Sequence, residues 1–537
     1  MPVVSPLRRM VAAAWLALGL ATAAAAGAQP FWSQDFNISE GEVNETYTSL
    51  NGQRFACVDD SNNLFIAFFD NRNKIGSDNN FEIYFRRFIY NFGSPTITRA
   101  TNAPNPSKYP AIATLNWGAD DAATANDSGR IYLAWQDSRL FSIPSVGEPK
   151  SYTIYFRTHQ TRGGVGFGPE IQVSPYDSVN AAVAPCVAVG DSSRVWIVYQ
   201  RASNGNIDLH YAVYNAATRT MGPETPLTTD PGLSRAPSIV ATRDGAVHVV
   251  WADNRIWARD QIWYKKFVPG SGWTTSEQIV FSGGTATAPS ITATRSGRLH
   301  LVWRDSRDGN NEIYYKEYIP GIGWDPLDVR LTVNTAAQQE PQVDADPMEN
   351  VYVVWTDARV SSSDPDIYYI ERKDGVWAAE TPLVWAGTDL SNQAQRYPGI
   401  THDGIAELYV TWTDERLPAS IGRNKDVYYK VGTGFVTAVE TPVAAPESRL
   451  LRNYPNPFNP RTKIRFTLKR DAQANLRVYD AQGRLVRTLV DSYVAAGARV
   501  VEWDGKDDRG AAVASGTYFL RLMAGGDFET RTVTLLK

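Results

Sequence analysis

Aspartate and arginine recur two positions apart along this chain, and that spacing is the first chemistry it offers. Asp70/Arg72, Asp137/Arg139, Asp253/Arg255, Asp305/Arg307, Asp357/Arg359 and Asp414/Arg416 each close a short run such as VHVVWADNR (247–255) or LHLVWRDSR (299–307). A carboxylate beside a guanidinium can move protons, hold an anion or brace a turn. Catalysis needs one unique constellation whereas braces are repeated, so recurrence in six copies points to structure. The expected geometry is a turn in which Asp accepts backbone N–H bonds. Arg would pair with a carboxylate opening the next strand, such as Glu82, Glu312, Asp366 or Asp426.

Special chemistry is therefore sought where the copies differ. A further copy, VWIVYQRAS (195–203), replaces the pair with Gln200-Arg201 and runs on into Asn204. Two others carry insertions at 140–152 and 417–425. Just before the Pro that opens each repeat stand Lys108-Tyr109, Arg235, Glu340 and Arg396-Tyr397. Cations, a carboxylate and tyrosines around one axis suit an acidic sugar or a polysaccharide. Solvated loops also look like this, because loops are polar by default. If the site were catalytic, Glu340 would be the acid or base with Tyr109 or Tyr397 nearby, and Arg235 and Arg396 would hold a carboxylate. Lys108, Arg201 and Asn204 complete the candidate ligand-binding set.

These residues need elements to hold them. Each Asp/Arg run is apolar on both alternating faces and rich in β-branched and aromatic residues, and each is followed by a second such run, for example QIWYKKF (261–267). Both are strands. Every repeat adds an earlier strand opening on Pro (PSIVATR, 237–243) and a later one after a Gly-Trp step (GWTTSEQIVFS, 272–282). Four strands per repeat, a period of about 50 residues and seven copies predict a seven-bladed β-propeller over 29–440. The motif loops join second and third strands, so they open on the same face as the connections between blades. PFWSQDFNIS (30–39) and GFVTAVETPV (434–443) compete to close the ring. The first is preferred, because an unpaired outer edge needs covering. Cys57 and Cys186 fall on the innermost strands of the first and third blades, too far apart for a disulfide, and are expected as buried free thiols.

The chain has 537 residues, 43% of them apolar and 20% charged, which suits a large folded core. Arg8 and Arg9, the apolar run from Met10 to Thr22 and the small residues before Gln29 read as a signal peptide over 1–28. No later stretch approaches the roughly 20 apolar residues of a membrane span. The net charge of −4 divides into +2 for 1–28, −13 for 29–448 and +7 for 449–537. An acidic body argues against nucleic acid as a partner. Five His and two Cys argue against a Cys/His zinc cluster, and no metal site is expected in the propeller.

A Pro/Ala-rich linker, 441–448, leads into alternating apolar segments separated by Gly, Asn and Asp turns. They predict a small antiparallel Ig-like sandwich over 449–537. Asp504, Asp507 and Asp508 could bind calcium, although a hairpin turn accounts for them with fewer oxygen ligands. Asn453-Tyr454-Pro455-Asn456-Pro457-Phe458-Asn459-Pro460, Trp503-Asp504-Gly505, Ser515-Gly516-Thr517-Tyr518 and Lys537 resemble the C-terminal sorting module of type IX secretion cargo. Its fold is similar to the Ig-like domain of the flagellar hook-capping protein. That resemblance implies export through the periplasm, recognition by an outer-membrane secretion machine, and release or surface attachment.

The propeller resembles the sialidase-like superfamily in architecture. It lacks Arg-Ile-Pro near the start of the ring and the Ser-x-Asp-x-Gly-x-x-Trp box, so no arginine triad carries over. The expectation is a secreted or surface-displayed propeller that binds a glycan or a cell-surface protein without catalysis and without a cofactor. A sialidase-like glycoside hydrolase or lyase acting on the motif-loop face is the alternative, and an envelope scaffold is a third class.

Overall fold

The computed structural model describes the chain from Phe31 to Leu536, apart from loop segments of which the longest are 40–45, 73–79, 89–96, 115–129, 142–150, 384–393, 416–424, 434–448 and 451–457. It is all-β: seven five-stranded sheets, then one three-stranded and one four-stranded sheet. The fourth repeat sets the pattern. Ser234–Ala241, Val247–Asp253 and Gln261–Val268 pair antiparallel in sequence order, and the outer edge is completed by two short pieces, Gly272–Trp273 and Glu277–Gln278. Val247–Asp253 is buried at every position, as expected of a strand apolar on both faces. Trp135, Trp251, Trp303, Trp355 and Trp412 occupy one repeat position and are fully buried. The innermost strands touch one another in sequence order, and the last, Gln395–His402, meets Ala56–Val58 of the first blade. The sheets therefore close into a seven-bladed propeller.

Closure comes from the N-terminal segment. Phe31–Trp32 and Phe36–Asn37 both pair with Asp426–Thr433 of the seventh blade. Trp32 stacks edge-on against Tyr369 at 5.3 Å, which ties the closing piece to the sixth blade. Segment 434–443 lies outside the described residues. A repeated staple then links several blades to the one before. Lys265, Lys316 and Lys430, each on a third strand, donate to the carbonyls of Leu227, Ile279 and Leu383 in the preceding outer edge. Arg86 does the same to Ile38, the carbonyl just beyond the closing pieces.

Six of the innermost strands carry the same irregularity. Tyr109, Ala184, Ala236, Ala288, Glu340 and Tyr397, each directly before a Pro, have φ between 49° and 56°. The register shifts at each of these points, as between Arg235 and Ser238 in the fourth blade. A left-handed residue before Pro is an unfavourable local conformation. It persists here because a bulge re-aims the strand toward the axis in every blade. Lys108-Tyr109, Arg235, Glu340 and Arg396-Tyr397, expected from the sequence in the connections between blades, thus lie inside the innermost strands.

The C-terminal domain packs a sheet of Arg449–Leu450, Thr462–Leu468 and Gly497–Trp503 against one of Leu485–Val494, Ala472–Tyr479, Gly516–Ala524 and Asp527–Leu535. Phe458, Trp503 and Tyr518 meet in its core at centroid distances of 5.2 Å. The aspartate cluster serves turns. Asp507 Oδ1 accepts the amides of Arg509 and Ala511, and Asp508 Oδ1 accepts that of Thr488. Residues 453–457 of the sorting-like motif lie outside the described residues.

Candidate functional site

The Asp/Arg pairs are braces, each within its own blade. Asp253 Oδ2 accepts from Trp251 Nε1 (2.9 Å), Ser234 Oγ (2.7 Å) and Arg255 Nη2 (2.6 Å), while Oδ1 takes the Arg255 amide and Nε (both 2.9 Å). Asp305 and Asp357 repeat the arrangement with Trp303/Arg307 and Trp355/Arg359, and Asp137 with Trp135/Arg139. Asp70 takes the amide and guanidinium of Arg72. Asp414 accepts from Trp412, and Arg416 lies outside the described residues. Burial opposes ionisation of Asp253 and Asp305, yet these donors outweigh it and hold both carboxyls below the usual range.

One expectation is corrected. The arginine does not reach the carboxylate that opens the third strand. It pairs with its own aspartate and lies over the Tyr or Trp at the third residue of the third strand, and in blades two, five and six it also binds an acid at the outer edge. Arg307 sits 4.3 Å from the Tyr314 centroid and 2.7 Å from Asp328, and Arg139 and Arg359 bind Glu170 and Glu380. Glu82 and Glu312 are taken instead by Arg99 and Arg330 of their own outer strands, each at 2.8 Å. The planar guanidinium can satisfy a ring face and two carboxylates together, which sequence spacing could not reveal.

The candidate ligand residues separate into two sets. Lys108 is buried, with Nζ 4.7 Å over the Phe81 ring, so it is packed into the blade rather than presented to the axis. Tyr109 packs edge-on to Phe69 at 5.0 Å. Arg201 donates to the Pro175 carbonyl and approaches Glu224 at 3.5 Å. Asn204 and most of the 140–152 and 417–425 insertions lie outside the described residues.

The remainder form a polar arc on the motif-loop face of blades four to seven. Arg235 contacts both oxygens of Asp260, at 2.7 and 2.9 Å. Arg304, not singled out from sequence, donates to Thr287 Oγ1 (2.8 Å) and is in electrostatic reach of Asp260 and Glu340. Glu340 Oε2 accepts from Thr356 Oγ1 (2.8 Å) and from the Tyr397 amide (2.9 Å). Burial pushes the Glu340 carboxyl up, against the pull of those two donors, Arg396 and Arg304. Among the described residues, neither Arg304 nor Arg396 comes within ion-pair distance of it.

The same face gathers exposed apolar side chains. Tyr176, Val179, Phe281 and Val333 lie in connections between blades, and Leu140, Ile256 and Val360 follow the motif. Val179, Phe281 and Val333 are 80%, 74% and 71% exposed. On the opposite face the described residues of this kind are Met348 and Val376.

A second polar cluster lies deeper in the channel. Asp344, on the sixth innermost strand, accepts from His402 Nδ1 (2.7 Å), Thr292 Oγ1 (3.0 Å) and Arg54 Nη2 (3.4 Å). Burial works against the Asp344 carboxylate, but His402, Arg54 and Thr292 outweigh it and hold the carboxyl down to about 2. Burial would depress His402, and Asp344 outweighs it and raises the imidazole above its ordinary value. Sequence reasoning missed this cluster. Its signal is Asp344 three residues after Pro341, where Val240, Ala188 and Ala113 follow Pro237, Pro185 and Pro110.

Comparison with known proteins bears on these domains separately. Residues 458–527 match the family described as the FlgD Ig-like domain. No curated protein matches the chain by sequence. Among solved structures, the chain is similar to a polysaccharide lyase of the PL25 ulvan lyases bound to -[GlcA(1-4)Rha3S]-, with 9% identity over 71% of this chain and 94% of that one and a TM-score of 0.45. It is also similar to the α-L-arabinanase of Penicillium chrysogenum complexed with arabinobiose, with 13% identity, 74% and 98% covered and a TM-score of 0.38. A Hadza microbial sialidase shares 13% identity over 66% and 73%, with a TM-score of 0.39. These likenesses carry no residue across to this chain.

Proposed function

We propose that this protein is an exported, non-catalytic propeller that binds a glycan on its motif-loop face, with its C-terminal sandwich serving export. The observation that carries the reading is the asymmetry of the wheel. Repeated charges are consumed as internal braces, while the uneven positions of one face carry Arg235, Arg304, Arg396 and Tyr397, and exposed apolar side chains lie in the loops of that same face. Guanidinium groups favour carboxylate or sulfate on the ligand, and apolar side chains favour the C–H faces of sugar rings. An acidic polysaccharide combines both. A cell-surface protein is the other occupant of the same face.

Catalysis on this face would use Glu340, whose raised carboxyl suits a proton donor. Glycoside hydrolysis needs a second carboxylate acting with it. The other carboxylate of the arc, Asp260, is held on both oxygens by Arg235, and binding is therefore the preferred reading.

The test is a glycan array probed with the mature chain. Binding to acidic glycans is expected, weakened tenfold or more by Arg396→Glu. Silence across acidic and neutral glycans would remove the reading. Release of 4-methylumbelliferone from a glycoside panel, abolished in Glu340→Gln, would replace it with the enzyme. For the tail, deletion of 449–537 is expected to leave the propeller in the periplasm, and surface display of the truncated chain would refute the export role.

A further inference from the structure

The central channel widens into a cavity of about 140 Å³ at the ends of the innermost strands farthest from the motif loops. Its lining is divided by blade. Val189 and Val240, from blades three and four, contribute an apolar wall, and Arg54, Thr292, Asp344 and His402, from blades one, five, six and seven, contribute a polar one. The sequence repeat makes such a division unexpected, because equivalent positions in identical blades would give a uniform ring. Thr292 and Asp344 share one repeat position, His402 stands one residue beyond it and Arg54 three residues before it, and the four side chains meet.

The hydrogen-bond inventory of the polar wall decides what it can hold. Asp344 is 2% exposed, and its oxygens are taken by His402, Thr292 and Arg54. The Thr292 hydroxyl, which donates to Asp344, accepts from Arg54 Nη2 at 3.2 Å. Asp346, two residues further on, is occupied by Asn350, the Met348 amide and the Tyr352 hydroxyl. Capacity is left on the donors: His402 Nε2 and the Nε and Nη1 groups of Arg54 form no hydrogen bond with another described residue. The guanidinium of Arg54 brings a permanent positive charge to these open donors, and Asp346 lies in electrostatic reach of His402. The wall therefore calls for an acceptor that carries negative charge, and the opposite wall calls for a short apolar body.

We propose that this cavity binds a small monocarboxylate, its carboxylate on Arg54 and His402 and its chain against Val189 and Val240. The volume sets the size class, since a cavity of about 150 Å³ holds a molecule as large as benzene. The site lies away from the glycan-binding face and is independent of that reading.

The experiment is calorimetric titration of the mature chain at neutral pH with butyrate, butyramide and butylamine. Butyrate is expected to bind at one site per chain, with butyramide at least tenfold weaker and butylamine inert. Arg54→Gln and His402→Gln are each expected to weaken butyrate at least tenfold while the melting profile stays cooperative. Val240→Phe, which fills the apolar side without touching a charge, is expected to abolish binding and so keeps the test open if a charge variant unfolds. Absence of butyrate binding to the native chain, equal affinity for butyramide, or unchanged affinity in a folded Val240→Phe would each overturn the proposal.

Discussion

The Tyr397 amide of the seventh blade donates to Glu340 Oε2 of the sixth over 2.9 Å. Both residues stand at bulges with positive φ, where the innermost strand cannot complete its own ladder. The same join appears as Ala236 N to Gln200 Oε1 (2.6 Å) and Ala184 N to Gln136 Oε1 (3.3 Å). Glu340 is thus a structural acceptor as well as a member of the polar arc.

Glu340→Ala should destabilise the protein by about 1–3 kcal/mol in urea unfolding, because it strands the Tyr397 amide. Glu340→Gln keeps an acceptor and should cost less than about 1 kcal/mol at acid pH. The native carboxyl is raised, so the folded state binds its proton more tightly and this group's contribution falls as pH rises past the ordinary carboxylate range. Glu340→Gln should accordingly gain on the wild type from pH 4 to 7. A constant difference across that range would contradict the assigned shift.

The braces should behave alike in different blades. Asp253→Ala, Asp305→Ala and Asp357→Ala each leave a buried Trp N–H and a backbone amide without their acceptor, while the arginine keeps its second carboxylate, and each should cost roughly 1–3 kcal/mol. Glycan binding by the surviving folded fraction should be unchanged. Loss of binding without loss of stability in any one of them would give that pair a role in recognition.

Ring closure by the N-terminal segment can be tested directly. Removal of residues 29–39 exposes the edge of Asp426–Thr433 and takes away Trp32. Unfolding should lose cooperativity, and the free edge should promote association in size-exclusion chromatography. A deletion chain that stays monomeric with the original melting temperature would assign closure elsewhere.

The buried histidines should set the acid limit of stability. Burial holds His159 and His300 down to about 4 and His248 to about 3, from an ordinary 6.5. The unfolded chain takes up protons below 6.5 that the native chain refuses, so stability should fall as pH drops from there toward 4, by about 1.4 kcal/mol per residue and pH unit. His402 has the opposite sign. Its raised value adds stability below 6.5 that is lost as pH rises through its folded pKa. His300→Gln should flatten the acid slope in a pH series of urea midpoints, and an unchanged slope would exclude this assignment.

Both cysteines are free and buried, and burial pushes both thiols up. They should resist Ellman's reagent in the native protein and react with a stoichiometry of two thiols after unfolding. Prompt reaction of Cys57, which also lines the channel cavity, would show that the cavity admits a molecule of that size.

Much of this architecture was legible in the linear chain because its signals are local and repeated. Alternation and period reported strands and blades, the Trp-x-Asp-x-Arg runs marked the turns, and the lone PFWSQDFNIS segment was the strand left over to close the ring. Partner choice was not legible. Arg307 could have met Glu312 on the third strand, its own Asp305 or Asp328, and only the twist of the sheet and the reach of a flexible side chain settled it. The cluster of Arg54, Thr292, Asp344 and His402 was hidden for a related reason: its members lie up to 348 positions apart and stand on four blades. Sequence determines what each blade is, through short-range patterning, whereas the facing of one blade toward another across the channel exists only once the ring has closed.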